Sequence, residues 1–464
     1  MMRTWIVTDN LLEKPPVWIV PRELWDGAQI FFGLNANNLP VLPQGSPVIT
    51  CGTHGVIIVV DTPPVRQKRY RAYSEAARLA AKQGAPVVGV YTKGIDERIL
   101  PSVIFGLEQG FYHYQGQQDT VERVTVVAKA PVMDHIRYLT SIAGAQSWVR
   151  EWVNTPANEK PPLHLAEEYQ KGAPDAISYH LYTQDDLKAL GAGGILAVGS
   201  GSKRPPVLLK GRYQGNGDGP WLALVGKGIV FDSGGISLKA REGMGRMKGD
   251  MAGSAAVMAA LRVVAENQWP VNIVAWAPLA ENLPDGAAYR PGDVITMLDN
   301  TRVEIISTDA EGRLVLADAV TMAIRDGASS VVDMATLAGS NVVALGGVRA
   351  TLIGNDDSLA KVVMESAQDM EEPVWEMPHD LEYALMNHSG IADLKNSGGR
   401  AGGTISAGLF IGHFAANVPW AHVDIAGLAY NESESGLGAT GYGLALLVEL
   451  CRRWATKSQE KSLR

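Results

Sequence analysis

The sequence is poor in the features of secreted, membrane-bound and nucleic-acid-coating proteins. It holds two cysteines, Cys51 and Cys451, near opposite ends of the chain. No disulfide framework and no cysteine metal motif follow from that pair. Both are expected to be free and buried, as in a reducing compartment. No apolar run reaches the length of a membrane span, so no membrane association is expected. The opening MMRTWIVTDNLLEKPPVW has no uninterrupted apolar stretch after Arg3. It does not read as a signal peptide, and a cytoplasmic location is the expectation. Basic charge is also in deficit, with 41 Lys and Arg against 49 Asp and Glu and a net charge of −8. A nucleic-acid partner wants a basic face, so that class is disfavoured. Histidine is scarce too. The chain has 9, none falls between positions 181 and 378, and HExxH is absent. This argues against a mononuclear histidine-zinc hydrolase. Fixed-period repeats and low-complexity segments are missing as well.

What is present is long and apolar enough for two domains: 464 residues, 46% of them hydrophobic, with 50 glycines. Val/Ile-rich runs alternate with helical patterns. Expected strands are Gly55–Val60, Val87–Tyr91, Val103–Leu107 and Val121–Val127, then Ile177–Tyr182, Val207–Tyr213, Leu222–Val225, Val271–Ala277, Ser330–Met334 and Ala421–Ile425. Expected helices include Ser74–Lys82, Arg137–Trp152, Met251–Glu266, Gly312–Arg325, Asp357–Met370, Thr404–Ala416 and Thr440–Trp454. The mixture at 33–47 reads as loop, and His54, His113 and His135 form no spaced ligand motif. This alternation predicts an α/β fold with a mixed central sheet sandwiched by helices. A smaller N-terminal α/β domain should occupy 1–140, with a connecting helix to about 153 and a larger domain from 154 to 464.

Two polar clusters stand out in this apolar background. In IISTDAEGRLVLADAV, from Ile305 to Val320, Asp309, Glu311 and Arg313 lie where a strand end gives way to a buried helix. That is the crevice of an open α/β sheet. The plain alternative makes Thr308 or Asp309 an N-cap and Glu311 its capping partner. The second cluster, from Gly226 to Asp250, sets Lys227, Asp232, Lys239 and Asp250 among glycines. It is not a Walker A loop, because no Ser or Thr follows Gly226-Lys227. Asp250 could cap the small-residue helix that follows, and a lone lysine is most often a surface residue. Taken together, Asp232, Asp250, Asp309 and Glu311 are four carboxylates at element ends. Convergence without cations would be costly, and two divalent ions would resolve it.

The segments VNTPAN (153–158), VGKGIVFDSGGISLK (225–239), MKGDMAGSAAV (247–257), STDAEGRL (307–314), DLKN (393–396), PWAHVDIAG (419–427) and GATGYG (438–443) together resemble the leucyl aminopeptidase (cytosol aminopeptidase) family. The likeness runs in order over roughly 150–450. It implies a two-metal exopeptidase that releases N-terminal residues from peptides. Lys227, Asp232, Asp250 and Glu311 would hold one ion, Zn2+ or Mn2+, which also meets the free α-amine. Asp232, Asp309 and Glu311 would hold the second. Lys239 would face the scissile carbonyl, and Arg313, with Leu337, would bind a bicarbonate acting as general base. Met247, Thr336 and Ala426 would line an apolar pocket for a Leu- or Met-like first side chain. The family assembly, a homo-hexamer, is the implied oligomer. Two departures are visible: Ser307 stands where the family has Asn, and Ala252 where Gly is common.

The chemistry agrees with these roles. Lysine ligates only as a neutral amine, which a neighbouring divalent ion permits. A nitrogen ligand favours zinc or manganese over magnesium. Arg313 cannot itself act as a base, but it fits a planar oxyanion. A two-metal hydrolase of another amide or of a phosphate ester is the alternative, as is an additional DNA-binding role, which the net charge disfavours. The loop Gly398–Gly403 reads equally as a mobile site rim and as an ordinary surface turn.

Overall fold

A computed structural model describes residues 3–9, 15–25, 27–28, 32, 48–52, 55–116, 120–431 and 438–462. The expected loop at 33–47 and His54 lie outside the described stretches, as does the Cys51 side chain. Chain contacts divide the molecule into two compact units, Met1–Ser147 with Asp369–Glu371, and Trp148–Gln368 with Glu372–Arg464. Among the described residues no helix is long and apolar enough to cross a membrane.

The first unit is built on six strands: β1 (Thr4–Thr8), β2 (Val17–Pro21), β3 (Val48–Gly52), β4 (Gly55–Val60), β5 (Val87–Tyr91) and β6 (Arg123–Val127). They pair in the order β1-β6-β5-β2-β4-β3, parallel except for β3 at the edge. Helix α1 (Arg66–Ala81) starts eight residues before the expected Ser74. Val103–Leu107, expected as a strand, lies instead inside helix α2 (Leu100–Phe111). Its VIFGL run is buried on every side, so period could not tell buried strand from buried helix. Two features decide it, one local and one tertiary. Pro101 occupies the first turn. Gly106 and Gly110 let α1 approach closely, since a Cβ at Gly110 would lie 2.6 Å from Ala77 Cβ.

Helix α3 (Ala130–Asn154) begins in the first unit and ends in the second. The second unit holds β7 (Ile177–Tyr182), β8 (Val207–Gln214), β9 (Trp221–Gly226), β10 (Gly228–Asp232), β11 (Asn272–Asn282), β14 (Ser330–Ala335), β15 (Ala350–Gly354), β16 (Val374–Glu376) and β18 (Trp420–Asp424). Their order is β16-β15-β18-β14-β9-β11-β8-β7, with β10 pairing β11. The centre, β18-β14-β9-β11, is parallel, and antiparallel strands flank it. This mixed sheet with helices on its faces is the expected α/β architecture.

Helix α4 (Ala252–Glu266) is buried along nearly its whole length, and so is α5 (Gly312–Arg325), which has the expected bounds. Their all-round apolar character is what a sheet-covering helix needs. Trp276 and Trp420 anchor the core beneath α5. Farther on, α6 (Gly403–His413) and α7 (Leu444–Ser462) follow. A small separate sheet, β12 (Val294–Thr296), β13 (Arg302–Glu304) and β17 (Leu394–Lys395), brings two distant segments side by side.

Candidate metal centre

The site begins at a break in the sheet. β9 ends at Gly226 and β10, a strand not among those expected, starts at Gly228, so Lys227 sits between two strands. Its N–H still bonds Met334 O at 3.0 Å, and its carbonyl accepts from Ser254 N at 2.8 Å. The side chain is fully buried and passes beside Gly312, where a Cβ would lie 2.8 Å from Nζ. Asp232 closes β10 at the carboxyl edge of the sheet, where open α/β folds place their ligands. Its Oδ1 accepts from Gly234 N (2.9 Å) and Asn282 Nδ2 (2.8 Å). Gly234 and Gly235 then adopt φ of 88° and 64°, a turn that side-chain-bearing residues resist. The turn brings Lys239 back, with its N–H on Ser233 O (2.9 Å) and its Nζ 2.7 Å from Asp232 Oδ2.

Asp250 follows a short 3-10 helix, Met244–Gly249, and caps nothing, because α4 has Met251 at its N-cap and no side-chain bond there. Its carboxylate instead accepts from Thr336 Oγ1 at 2.7 Å. The capping alternative fails at the other cluster too. Glu311 holds the N-cap position of α5 without a capping bond. Thr308 Oγ1 donates to Gly234 O at 2.5 Å and accepts from Ser237 N at 2.8 Å, which stitches the two clusters together.

Six of the expected residues therefore converge. Lys227 Nζ lies 2.7 Å from both Asp250 Oδ2 and Glu311 Oε1, and Lys239 Nζ also bonds Asp309 Oδ1. Asp232, Asp309 and Glu311 offer ligand oxygens within 4.8 Å of one another. Burial pushes the Glu311 carboxyl up to about 8 and Asp250 up to about 6; Asp232 adds to both shifts, while Lys227 opposes them. Asp309 is raised in the same direction by its burial. Burial opposes the charge on Lys227 and Lys239, but the surrounding carboxylates outweigh it and raise both amines. The carboxylates thus outnumber their cations. Glu311 Oε2 is buried with no partner, while Glu311 Oε1 and Asp250 Oδ2 are met by the Lys227 ammonium. Carboxylate oxygens placed this way, beside a lysine nitrogen, form a donor set suited to a divalent ion. The Asp309 side chain is 39% exposed whereas Glu311 is 1% exposed, so the cluster opens on the Asp309 side.

Arg313 is buried in the first turn of α5, and burial draws its guanidinium down to about 10. One terminal nitrogen donates to Asn396 O at 2.7 Å, while Nε has no partner. The Leu337 N–H is engaged by Asp424 Oδ1 at 3.0 Å. Asp424 also accepts from Ala338 N (3.1 Å) and Ala426 N (3.0 Å), tying the turn after β14 to the turn after β18. Of the expected pocket residues, Thr336 touches the cluster directly, and Met247 O accepts from Asp250 N at 3.3 Å. Ala426 is bonded to Asp424 and, through its carbonyl, to Asn341 Nδ2, and not to the carboxylate cluster itself. Ser307 supplies its hydroxyl to Asp309 N at 3.2 Å.

Sequence reasoning passed over two amides. Asn282 joins Asp232 to the carbonyl of Thr308 (2.9 Å), and Asn396 bonds the Ile306–Ala310 segment. Neither carries a charge to flag it. The DLKN match had pointed at Asn396 without a role.

Comparison with known proteins bears on the same stretch. A family model described as "Cytosol aminopeptidase family, catalytic domain" matches residues 147–448. A probable cytosol aminopeptidase from a Geobacter species is 40% identical over 372 residues, covering 77% of this chain and 76% of the relative. Among solved structures, the bottromycin maturation enzyme BotP in complex with Mn is 31% identical with a TM-score of 0.82, over 95% of this chain and 100% of that one. A mutant tomato leucine aminopeptidase is 27% identical with a TM-score of 0.82, over 97% and 96% of the two chains.

Proposed function

The chain belongs to the cytosol aminopeptidase family and is a metal-dependent aminopeptidase, and from that premise we propose how its residues divide the work. Lys227, Asp232, Asp250 and Glu311 hold one divalent ion, and Asp232, Asp309 and Glu311 hold a second. The observation that carries this reading is the buried carboxylate cluster, in which Glu311 Oε2 has no partner and the Lys227 and Lys239 ammoniums pair with Asp232, Asp250, Asp309 and Glu311. The ions are Zn2+ or Mn2+, since a lysine nitrogen among the ligands disfavours magnesium. When bound, they supply Lewis-acid polarisation and an activated water at neutral pH.

The remaining steps fall to the chain itself. Lys239 places an ammonium beside Asp232 and Asp309, where it can stabilise the oxyanion that develops on the scissile carbonyl. Arg313, with its unpartnered Nε, holds the bicarbonate that supplies general-base chemistry. The engaged Leu337 N–H leaves Arg313 as the principal donor. Met247, Thr336 and Ala426 bind a Leu- or Met-like first side chain. Pockets of this type discriminate only about 10–200-fold per methylene. The subunits assemble as a homo-hexamer. In support, Val343, Trp375, Leu381 and Leu385 are each more than half exposed, apolar side chains of the kind that subunit contacts cover. The naming of the relatives supports a cytosolic setting.

The test is hydrolysis of leucyl-p-nitroanilide by metal-free and Mn2+- or Zn2+-loaded protein, alongside Asp309→Ala and a phosphate ester. Metal-dependent amine release that the variant loses by about a thousandfold or more is expected, with an assembly mass six times the 49.7 kDa protomer. Preference for the ester, or uptake of fewer than two ions per chain, would overturn the reading.

A further inference from the structure

Asn396 follows β17 and takes no part in the scheme above. β13 and β17 run parallel, with Val303 opposite Leu394 and Glu304 opposite Lys395. The pairing continues one residue further, because Asn396 N donates to Glu304 O at 2.9 Å. Two chains therefore leave the small sheet together. One becomes the turn that carries Asp309, and the other presents Asn396 beside it.

The Asn396 carboxamide is fully buried and fully used. Its Oδ1 accepts from Ile306 N at 2.8 Å and Ser307 N at 3.3 Å. Its Nδ2 donates to Ser307 O at 2.7 Å and Ala310 O at 3.3 Å. Its backbone carbonyl accepts from Arg313. Only an amide both accepts and donates in this way, so a carboxylate or an aliphatic side chain of the same size would leave backbone groups of the turn unpaired. From the other side, Asn282 Nδ2 and Tyr289 hydroxyl both donate to Thr308 O, at 2.9 and 2.8 Å. The turn is thus held from two sides, and Asn396 is the grip that also reaches Arg313.

We propose that Asn396 is a positioning residue of the hydrolytic site. Its carboxamide fixes the 306–310 turn that bears Asp309 and its carbonyl fixes Arg313, so that the ligand turn and the arginine are set as one unit. The proposal rests on the metal-hydrolase reading given above. A purely structural role would make Asn396 no different from any buried, hydrogen-bonded asparagine. Asn387 supplies that comparison, being buried with its Nδ2 on Ser406 O at 2.7 Å.

The experiment compares wild type, Asn396→Ala, Asn396→Asp and Asn387→Ala. Each is melted metal-free, titrated with Mn2+ by calorimetry, and assayed for kcat and KM on leucyl-p-nitroanilide. Asn396→Asp keeps the shape and the accepting oxygen, so it carries the test should Asn396→Ala fail to fold. Expected is a cooperative melt with Mn2+ affinity lowered about 10–100-fold, the usual effect of removing a partner that orients metal ligands. The kcat should fall at least about tenfold while KM stays within about threefold, the pattern of a lost transition-state arrangement. Asn387→Ala should lower the melting temperature yet leave affinity and kcat near wild type. Asn396 variants that bind Mn2+ and turn over like wild type, or losses matched by Asn387→Ala, would overturn the positioning role alone. A wild-type protein that takes up no Mn2+ would overturn the hydrolase reading, and this proposal with it.

Discussion

Gly312 shows how much of this site depends on an absent side chain. It opens α5 directly after Glu311, and Lys227 runs past it toward the carboxylates. A methyl group there would overlap Lys227 Cε and sit 2.8 Å from Nζ. The lysine is buried and has nowhere to swing. Ala is otherwise the better helix former by roughly 1 kcal/mol, so Gly312→Ala sets helix propensity against overpacking of about 1–3 kcal/mol. The expected outcome is a melting temperature close to wild type, with Mn2+ affinity and kcat/KM each lowered by about tenfold or more. Calorimetry and steady-state assays would check it, and a fully active variant would show that Lys227 can ligate from another path. At this scale the sequence was informative where charge stood out. Asp232, Asp250, Asp309 and Glu311 were visible as carboxylates in apolar surroundings, and the structure brings them together. Asn282 and Asn396 were not visible, because a buried amide gives no charge or period. Their role exists only through backbone groups that folding brings near.

Elements were legible wherever a pattern had one physical explanation. The runs 177–182 and 312–325 have the expected bounds, the first as a short alternating strand and the second as an apolar run too long for a strand. The VIFGL run did not have one explanation, and the helix won through a contact that no local window contains. Gly106 and Gly110 face α1, and a Cβ at Gly110 would overlap Ser74 O and approach Ala77 Cβ to 2.6 Å. Gly110→Ala should therefore destabilise the first unit by about 1–3 kcal/mol, even though alanine favours the helix by roughly 1 kcal/mol. Urea unfolding followed in that unit would measure it, and a neutral or stabilising result would mean that the two helices can part without cost. The strand β10 escaped notice for a related reason. Gly228–Asp232 reads as Gly-rich loop until its pairing partner, the far end of β11, is known.

For the molecule as a whole, the ligand residues share one property: all lie in the second unit, on segments far apart in sequence but stitched by short bonds. Binding an ion to the folded form alone stabilises it by about 2.7 kcal/mol at a hundred times Kd. That energy acts on the segments the ion joins. Without the ion, the Lys227 and Lys239 ammoniums already offset part of the carboxylate charge. The metal-free protein should therefore keep its fold and lose its activity rather than unfold. Hydrogen exchange with and without saturating Mn2+ separates these effects. Protection should rise in peptides covering 226–250, 306–313 and 394–397, and should not change in peptides covering β4 to β6. A general rise across both units would mean that the ion acts through global stability. A rise that spares 394–397 would detach that stretch from the centre, because Asn396 is bonded to the Asp309 turn and must share its opening.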